Sequence, residues 1–184
     1  MLFDPAQVYQ PEADTFLLLR AAQAEVRAGD RVLEVGTGSG TVAAGLGTAQ
    51  SIVATDINPH AVASARKKGV SVVRADLFSG IRGPFDLILF NPPYLPTRPE
   101  ERIDDWLEYA LDGGTSGRVV IERFFAGAGP LLAPEGRILL LISSLTGIDP
   151  VMELISRHGF AAGIVLAEVV EDEMLYILRI TRPG

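Results

Sequence analysis

The sequence of 184 residues contains no cysteine and only two histidines. Without cysteine the chain has neither disulfides nor thiolate zinc sites, which is usual for a cytoplasmic protein. Its longest apolar runs, such as residues 138–142, have the length of a strand and are far too short to span a membrane. Residues 1–5 lack the basic and apolar segments of a signal peptide. We therefore expect a cytoplasmic protein with no membrane partner.

Basic residues are also scarce, since 16 Lys and Arg stand against 23 Asp and Glu, giving a formal net charge of −7. Such a surface repels phosphate backbones, so nucleic acid is not expected as a direct partner unless a local basic patch exists. Hydrophobic residues make up 48% of the chain, which argues against disorder. The length fits one domain, which we place at residues 1–184 with a helical leader over about 1–28.

Helix-like and strand-like segments alternate along the chain. We predict helices at residues 14–27, 39–46, 59–68, 118–132 and 148–158, with Asp14 capping the first. We predict strands at residues 31–35, 51–55, 70–74, 86–90, 137–142, 161–170 and 173–180, and an irregular polar stretch at 96–116. This alternation indicates an α/β fold with a largely parallel sheet, and the last two strands form an antiparallel hairpin.

Asn91-Pro92-Pro93-Tyr94 directly follows the buried-strand pattern of the fourth strand. The two prolines stop the strand and donate no N–H, so the carbonyls of Asn91 and Pro92 are free to accept hydrogen bonds. The Asn91 side chain adds another acceptor and the Tyr94 ring adds a flat surface. These four residues therefore suit a planar substrate group that carries an –NH2.

A glycine-rich turn, with Gly36, Gly38 and Gly40, follows the first strand. Glycines at such a turn allow a tight bend and the close approach of a ligand to the backbone. A dinucleotide fingerprint needs its third glycine at position 41, where this chain has Thr41. The chain also has no Gly-Lys-Ser/Thr, so the turn is not a P-loop.

Three carboxylates accompany this turn at neighbouring strand ends. Asp56 follows the second strand and can accept from two ribose hydroxyls. Asp76, with Leu77 beside it, follows the third strand and can accept from an adenine amine, whereas Glu34 suits a cationic group. Asp56 and Asp76 would also serve as ordinary helix caps. Taken together, the three favour S-adenosylmethionine as the cofactor.

This set of motifs resembles that of Rossmann-like methyltransferases that act on planar nitrogen. The Asn-Pro-Pro-Tyr signature at residues 91–94 is shared by adenine methyltransferases of DNA, guanine methyltransferases of ribosomal RNA and the HemK family. HemK enzymes methylate a glutamine side chain in translation release factors. The signature alone leaves these alternatives open.

Part of the leader is similar to the corresponding segment of the archaeal and eukaryotic HemK branch. In this chain that part reads Val8-Tyr9-Gln10-Pro11-Glu12-Ala13-Asp14-Thr15-Phe16-Leu17-Leu18-Leu19. That leader typically reads Val-Tyr-Glu-Pro-Ala-Glu-Asp-Thr-Phe-Leu-Leu-Leu, so the chain departs from it at Gln10, Glu12 and Ala13. The segment Asp112-Gly113-Gly114-Thr115-Ser116-Gly117-Arg118 also resembles the family's Gly-Gly…Gly-Arg stretch. These matches favour the HemK branch over the nucleic-acid enzymes.

The resemblance implies a seven-stranded sheet with helices on both faces and methyl transfer to a glutamine in the Gly-Gly-Gln loop of a release factor. It implies catalysis by Asn91, Pro92 and Tyr94, and substrate binding by these three residues and Pro93. The residues expected to contact the cofactor are Thr15, Glu34, Gly36, Gly38, Gly40, Asp56, Asp76, Leu77 and Asn91. It also implies a small zinc-binding activator protein, paired to the sheet edge at Val70-Ser71-Val72-Val73. Methylation of a nucleobase or a protein lysine is the alternative.

Other polar residues are assigned no catalytic role. His60 and His158 lie at predicted helix ends and are expected to be structural. Glu100, Glu101, Asp104 and Asp105 form an acidic run that we expect to be a solvated loop and not a metal site. We predict no metal.

Overall fold

The computed structural model describes residues 3–98 and 105–184. Its strands are β1 (Arg31–Val35), β2 (Ser51–Asp56), β3 (Val72–Arg74), β4 (Phe85–Phe90), β5 (Leu132–Ser143), β6 (Ala161–Val170) and β7 (Glu173–Thr181). Its α-helices are α1 (Ala13–Glu25), α2 (Thr41–Ala44), α3 (Pro59–Lys67), α4 (Val119–Ala128) and α5 (Ile148–Arg157). Short 3₁₀ turns lie at Pro5–Gln7, Glu108–Ala110, Gly129–Leu131 and Ser144–Thr146. No helix in the described ranges is both long and apolar enough to cross a membrane.

The strands form a seven-stranded sheet in the order β3-β2-β1-β4-β5-β7-β6. Strands β1 to β5 run parallel, whereas β7 is antiparallel to both β5 and β6. The predicted Rossmann-like architecture with an antiparallel C-terminal hairpin is confirmed. Because β1 lies between β2 and β4, the strands β2 and β3 are added on one side of β1, and β4 and the later strands are added on its other side. Ligands bind at such a switch point in open α/β sheets.

Alternate strand residues face opposite layers of helices. Helices α4 and α5 cover one face, where the Phe124 ring stacks on Phe90 with centroids 4.5 Å apart. Helices α1 and α2 cover the other face, where Leu17 and Leu18 pack against Leu87 and Leu139. Both faces of the central strands are buried, which explains their nearly continuous apolar sequences. The sheet is therefore a rigid base for the residues at its strand ends.

Several predicted boundaries were wrong. Helix α4 ends at Ala128 and not near residue 132, because Pro130 lies in the 3₁₀ turn that follows and cannot continue an α-helix. Strand β5 begins at Leu132, five residues before the predicted start, and its pairing with β4 shifts register after Phe85. The second helix is reduced to Thr41–Ala44 and the third strand to Val72–Arg74.

The prediction that Asp14 caps the first helix was also wrong. The N-cap of α1 is Glu12, whose side chain makes no capping bond, and Asp14 is the second residue of the helix. Asp14 is instead buried, with 5% of its surface exposed. In the acidic run, Glu100, Glu101 and Asp104 lie outside the described residues.

Candidate active site

The carboxyl ends of β1, β2, β3 and β4 border one cleft of about 1290 Å³. It is large enough for a cofactor together with a segment of substrate. The cleft is lined by nearly all the predicted site residues: Thr15, Glu34, Gly36, Gly38, Asp56, Asp76, Leu77, Asn91, Pro92, Pro93 and Tyr94. Gly40 is the exception. A side chain there would come within 2.8 Å of Ala65, so Gly40 lets α3 pack closely against the turn.

The glycine turn exposes its backbone to the cleft. Gly36 and Gly38 have φ of 67° and 54°, which glycine adopts without strain. The turn is held in place from β2, since the Thr37 N–H donates to the Thr55 carbonyl at 3.0 Å and the Gly38 N–H donates to Asp56 Oδ2 at 2.8 Å. This arrangement leaves room beside the turn for a ligand.

Asp56 is buried at the end of β2 with both carboxylate oxygens engaged by backbone. Besides Gly38, the Asn58 N–H donates to Asp56 Oδ1 at 2.8 Å. Burial raises the pKa of Asp56 above its usual value, while these backbone N–H groups oppose the rise. Asn58 is the residue that caps α3, because its Oδ1 accepts from the His60 N–H. The alternative role of Asp56 as a helix cap is therefore wrong.

Glu34 is a buried carboxyl beneath the glycine turn. Its Oε2 accepts from Thr37 Oγ1 at 2.7 Å and from the Ala43 N–H at 3.0 Å. Burial raises the pKa of Glu34 to about 7, although both hydrogen bonds favour the charged form. A cation bound in the cleft near neutral pH would therefore favour the ionised form of Glu34.

Asp76 forms an ion pair across the cleft wall. Its Oδ2 accepts from Arg123 Nη2 of α4 at 2.7 Å, and both side chains are about half exposed. The neighbouring Leu77 has a φ of 49°, which is uncommon for a residue other than glycine. Strained backbone of this kind often occurs at ligand sites. The role of both residues in binding adenine stays a prediction.

The Asn91–Tyr94 turn has an unused acceptor. Asn91 Oδ1 is buried and has no hydrogen-bond partner among the described residues, whereas Asn91 Nδ2 donates to Asp14 Oδ2 at 2.9 Å. A buried acceptor without a partner costs about 1–3 kcal/mol, so an incoming N–H donor would recover that free energy. Burial and the nearby Asp14 carboxylate raise the pKa of the Tyr94 hydroxyl, so this ring stays neutral.

The Gly-Gly…Gly-Arg stretch supports this turn from behind. The Gly113 N–H donates to the Leu95 carbonyl at 2.9 Å. A Cβ at Gly113 would lie 2.9 Å from the Pro93 oxygen, and one at Gly117 would lie 2.5 Å from the Tyr94 oxygen. Gly117 also has a φ of 69°. Only glycine permits so close an approach, which explains why a stretch distant in sequence must lack side chains there.

The first residues of the leader border the cleft and are held there by hydrogen bonds with Asn58, His60 and Trp106. Asn58 Nδ2 donates to the Gln7 carbonyl at 2.6 Å, and the Trp106 N–H donates to Gln7 Oε1 at 2.9 Å. The Asp4 N–H donates to Nδ1 of the buried His60 at 2.9 Å, which confirms a structural role for this histidine. The leader consequently forms part of the cleft wall, through Pro5, Ala6, Val8, Tyr9 and Gln10.

Sequence reasoning assigned Thr15 of the leader to the site but missed its neighbours. The Thr15 N–H donates to Asp14 Oδ1 at 2.6 Å, and Tyr9 Oη donates to Asp14 Oδ2 at 3.2 Å. Glu108 was missed as well, and its buried Oε1 has no partner in the described parts of the chain. The similarity of the leader covered Tyr9 and Asp14 and could have revealed them, whereas nothing in the sequence marked Glu108.

The cleft is strongly acidic. Among the described residues that line it, Arg123 is the one cation, and Asp76 pairs with it. The carboxylates instead face the cleft from three strand ends and from the leader. The donor set therefore fits a ligand with hydroxyls, an amine and a positive charge better than it fits a row of phosphates.

Comparisons with known proteins agree with this geometry. Residues 10–104 match the family model described as methyltransferase small domain. A Methanocaldococcus jannaschii protein, provisionally named a protein N5-glutamine methyltransferase, is 38% identical over 96% of this chain and 92% of its own length. Methyltransferase HEMK2 of Mus musculus is 38% identical over 95% of this chain and 90% of its own.

Among solved structures, a chain of the E. cuniculi Mtq2-Trm112 complex superimposes with a TM-score of 0.80 and 30% identity, covering 96% of this chain and 99% of that one. That complex is described as responsible for methylation of the translation termination factor eRF1. The fold, the cleft and these matches define the chain as a Rossmann-like methyltransferase. Within that class it belongs to the HemK family.

Proposed function

We propose that this enzyme transfers the methyl group of S-adenosylmethionine to the side-chain amide nitrogen of a glutamine in the Gly-Gly-Gln loop of a translation release factor. The observation that carries the proposal is the buried Asn91 Oδ1 at the strand end beside the acidic cofactor cleft, an acceptor that has no partner within residues 3–98 and 105–184. The relatives named as glutamine methyltransferases, and the eRF1-methylating complex, support the choice of acceptor. A translation factor as substrate also agrees with the expected cytoplasmic location.

The residues at the strand ends suit the cofactor by their chemistry. Asp56 would accept from the ribose hydroxyls and Asp76 from the adenine amine, while Glu34 and Thr15 would lie towards the charged methionine end. The backbone of Gly36 and Gly38 would allow the cofactor to approach closely. S-adenosylmethionine supplies an electrophilic methyl group on a sulfonium sulfur.

An amide nitrogen is a weak nucleophile because its lone pair is delocalised into the carbonyl. Asn91 Oδ1 and the Pro92 carbonyl would accept its two N–H bonds and stabilise the positive charge that develops on nitrogen, while Tyr94 packs against the planar group. Fixed placement of two reactants supplies about 7–11 kcal/mol in ideal cases. As the N–C bond forms, the C–S bond breaks, one amide proton leaves to solvent, and S-adenosylhomocysteine is released.

Methyl transfer is tested with radiolabelled S-adenosylmethionine and four acceptors: a release factor, the same factor with its Gly-Gly-Gln glutamine replaced by alanine, transfer RNA and DNA. We expect label in the intact release factor alone. Label in nucleic acid but not in protein would refute the proposal. Label that persists in the alanine variant would point to another residue, such as a lysine.

We further propose that a small zinc-binding activator protein pairs with β3. Strand β3 is at the edge of the sheet, and Val73 on it is 45% exposed. An exposed, apolar edge strand can accept a strand from another chain. The complex of the similar E. cuniculi chain with Trm112 supports a partner of this kind. Val73→Pro would remove an edge N–H and should abolish co-purification with the activator, whereas a stable, fully active enzyme without any activator would argue against it.

A further inference from the structure

Asp14 and Asn91 lie 77 residues apart in sequence and form a direct hydrogen bond in the cleft. Asn91 Nδ2 donates to Asp14 Oδ2 at 2.9 Å, and the Asp14 side chain is almost completely buried. The second carboxylate oxygen of Asp14 accepts from the Thr15 N–H at 2.6 Å. The Thr15 N–H thus holds one carboxylate oxygen of Asp14 in place while the other oxygen accepts from Asn91.

This hydrogen bond determines which way the Asn91 amide faces. An ionised carboxylate can only accept, so it must meet the NH2 of Asn91 and not its oxygen. The oxygen is then directed to the other side, where Oδ1 is buried and has no partner among the described residues. If the amide were flipped by 180°, its NH2 would oppose an incoming –NH2 group and no hydrogen bond could form.

Tyr9 strengthens the arrangement. Its single hydroxyl hydrogen is shared between Asp14 Oδ2 and Glu12 Oε2, each of which lies 3.2 Å from Tyr9 Oη. Burial, with the Asp14 carboxylate adding to it, raises the pKa of Tyr9, so the hydroxyl remains a donor throughout the physiological range. Donors from Tyr9, Thr15 and Asn91 therefore surround the Asp14 carboxylate and hold it in place.

We propose that Asp14 is a positioning residue for methyl transfer, which orients the Asn91 amide so that Oδ1 faces the acceptor nitrogen. The proposal rests on the proposed function only in using the methyl acceptor as its readout. It assigns to the leader a part in the chemical step, in addition to closing the cofactor cleft.

The test is an exchange of the two side chains. In Asp14→Asn the Thr15 N–H holds the oxygen of the new amide, so its NH2 faces Asn91 and turns the Asn91 oxygen away from the acceptor nitrogen. Asn91→Asp alone sets two carboxylates against each other. The double variant Asp14→Asn with Asn91→Asp restores one donor, one acceptor and the original net charge. An oriented acceptor in a methyl-transfer site resembles an oxyanion-hole group, whose loss costs roughly 10²–10³-fold in kcat. We expect each single variant to lose about that much, and the double variant to regain at least about tenfold.

The readouts are single-turnover rate, the dissociation constant of S-adenosylmethionine and the melting temperature. We expect the single variants to lower the single-turnover rate and the double variant to restore part of it. The dissociation constant of the cofactor should change less than about threefold in all three variants. A loss confined to cofactor affinity, or a rate that the exchange does not restore, would overturn the proposal. If the wild type instead methylates another acceptor, the release-factor assignment fails while the exchange can still be read on that acceptor.

Should Asp14→Asn prove too unstable to assay, the wild-type protein provides an independent measurement. The Asn91 Nδ2 protons, one of which is hydrogen-bonded to the Asp14 carboxylate, should exchange with water slowly. The reference is the side-chain amide of an asparagine in an unstructured peptide. Slow exchange is expected between pH 6 and 8, whereas exchange at the reference rate would overturn the proposal.

Discussion

Glu34 should make the stability of this enzyme fall as the pH rises from about 4.5 to 7. In the unfolded chain this carboxyl has its ordinary pKa of 4.5, whereas burial in the folded enzyme raises its pKa to about 7. The folded state therefore binds the proton more tightly. That contribution to stability is fully present below pH 4.5 and is lost as the pH rises through 7.

The size of the effect follows from the shift. One pKa unit corresponds to 1.36 kcal/mol, so a rise from 4.5 to about 7 is worth about 3 kcal/mol when the pH is well above 7. Glu34→Gln removes the titration but keeps an oxygen that can accept from Thr37 and the Ala43 N–H. The difference in the free energy of unfolding, variant minus wild type, should therefore increase by about 3 kcal/mol between pH 4.5 and pH 8.

Urea unfolding at several pH values measures this difference directly, and calorimetry of cofactor binding adds a second readout. A sulfonium ion near Glu34 should lower its pKa, so binding at pH 7 should release about 0.5 proton from the wild type and none from Glu34→Gln. Proton release is obtained from binding enthalpies in two buffers of different ionisation enthalpy. Parallel stability profiles of the two proteins, with equal proton release, would refute the reasoning.

Three further predictions concern the Asn91–Tyr94 turn and the opposite end of the sheet. Asn91→Ala should abolish methyl transfer while cofactor affinity, measured by calorimetry, falls only modestly; substantial residual turnover would contradict the catalytic assignment. Gly117→Ala should cost about 1–3 kcal/mol and also lower kcat, because its Cβ would lie 2.5 Å from the Tyr94 oxygen. Gly69→Ala is the matched control, with a φ of 80° and no atom within 4 Å of the added carbon, so it should leave kcat unchanged. Arg137→Met should cost about 3–5 kcal/mol in urea unfolding by leaving the buried Asp30 without its 2.6 Å ion pair, and adding Asp30→Asn should recover part of that loss.

The sequence was a good guide to everything governed by local pattern. Short apolar segments located all seven strands, and the polar residues at the carboxyl ends of β1, β2 and β4 meet at one cleft because parallel strands end at the same edge. The boundaries that failed were decided by tertiary pairing. Strand β5 extends back to Leu132 because β4 offers it a partner at Phe85, which no local property of residues 132–136 reveals.

Long-range contacts explain the remaining errors in the site. A carboxylate near the start of a helix is typical of a cap, so Asp14 was interpreted locally, although its partner Asn91 lies in another part of the chain. The ion pair of Asp76 with Arg123 joins the end of β3 to α4 in the same way. Neither contact has a local signature, since each depends on how α1 or α4 packs on the sheet.

Asp4 and Gln7 of the leader are held at the cleft by a small number of hydrogen bonds with Asn58, Trp106 and His60, whereas Asp14 lies in α1, which packs on the sheet. Segments with few buried contacts open more readily than the core does. Residues 4–10 should therefore open before α1 does, and the hydrogen bond between Asp14 and Asn91 would stay in place when they do. The acceptor oxygen of Asn91 would thus keep its orientation while the cofactor and the substrate enter and leave the cleft.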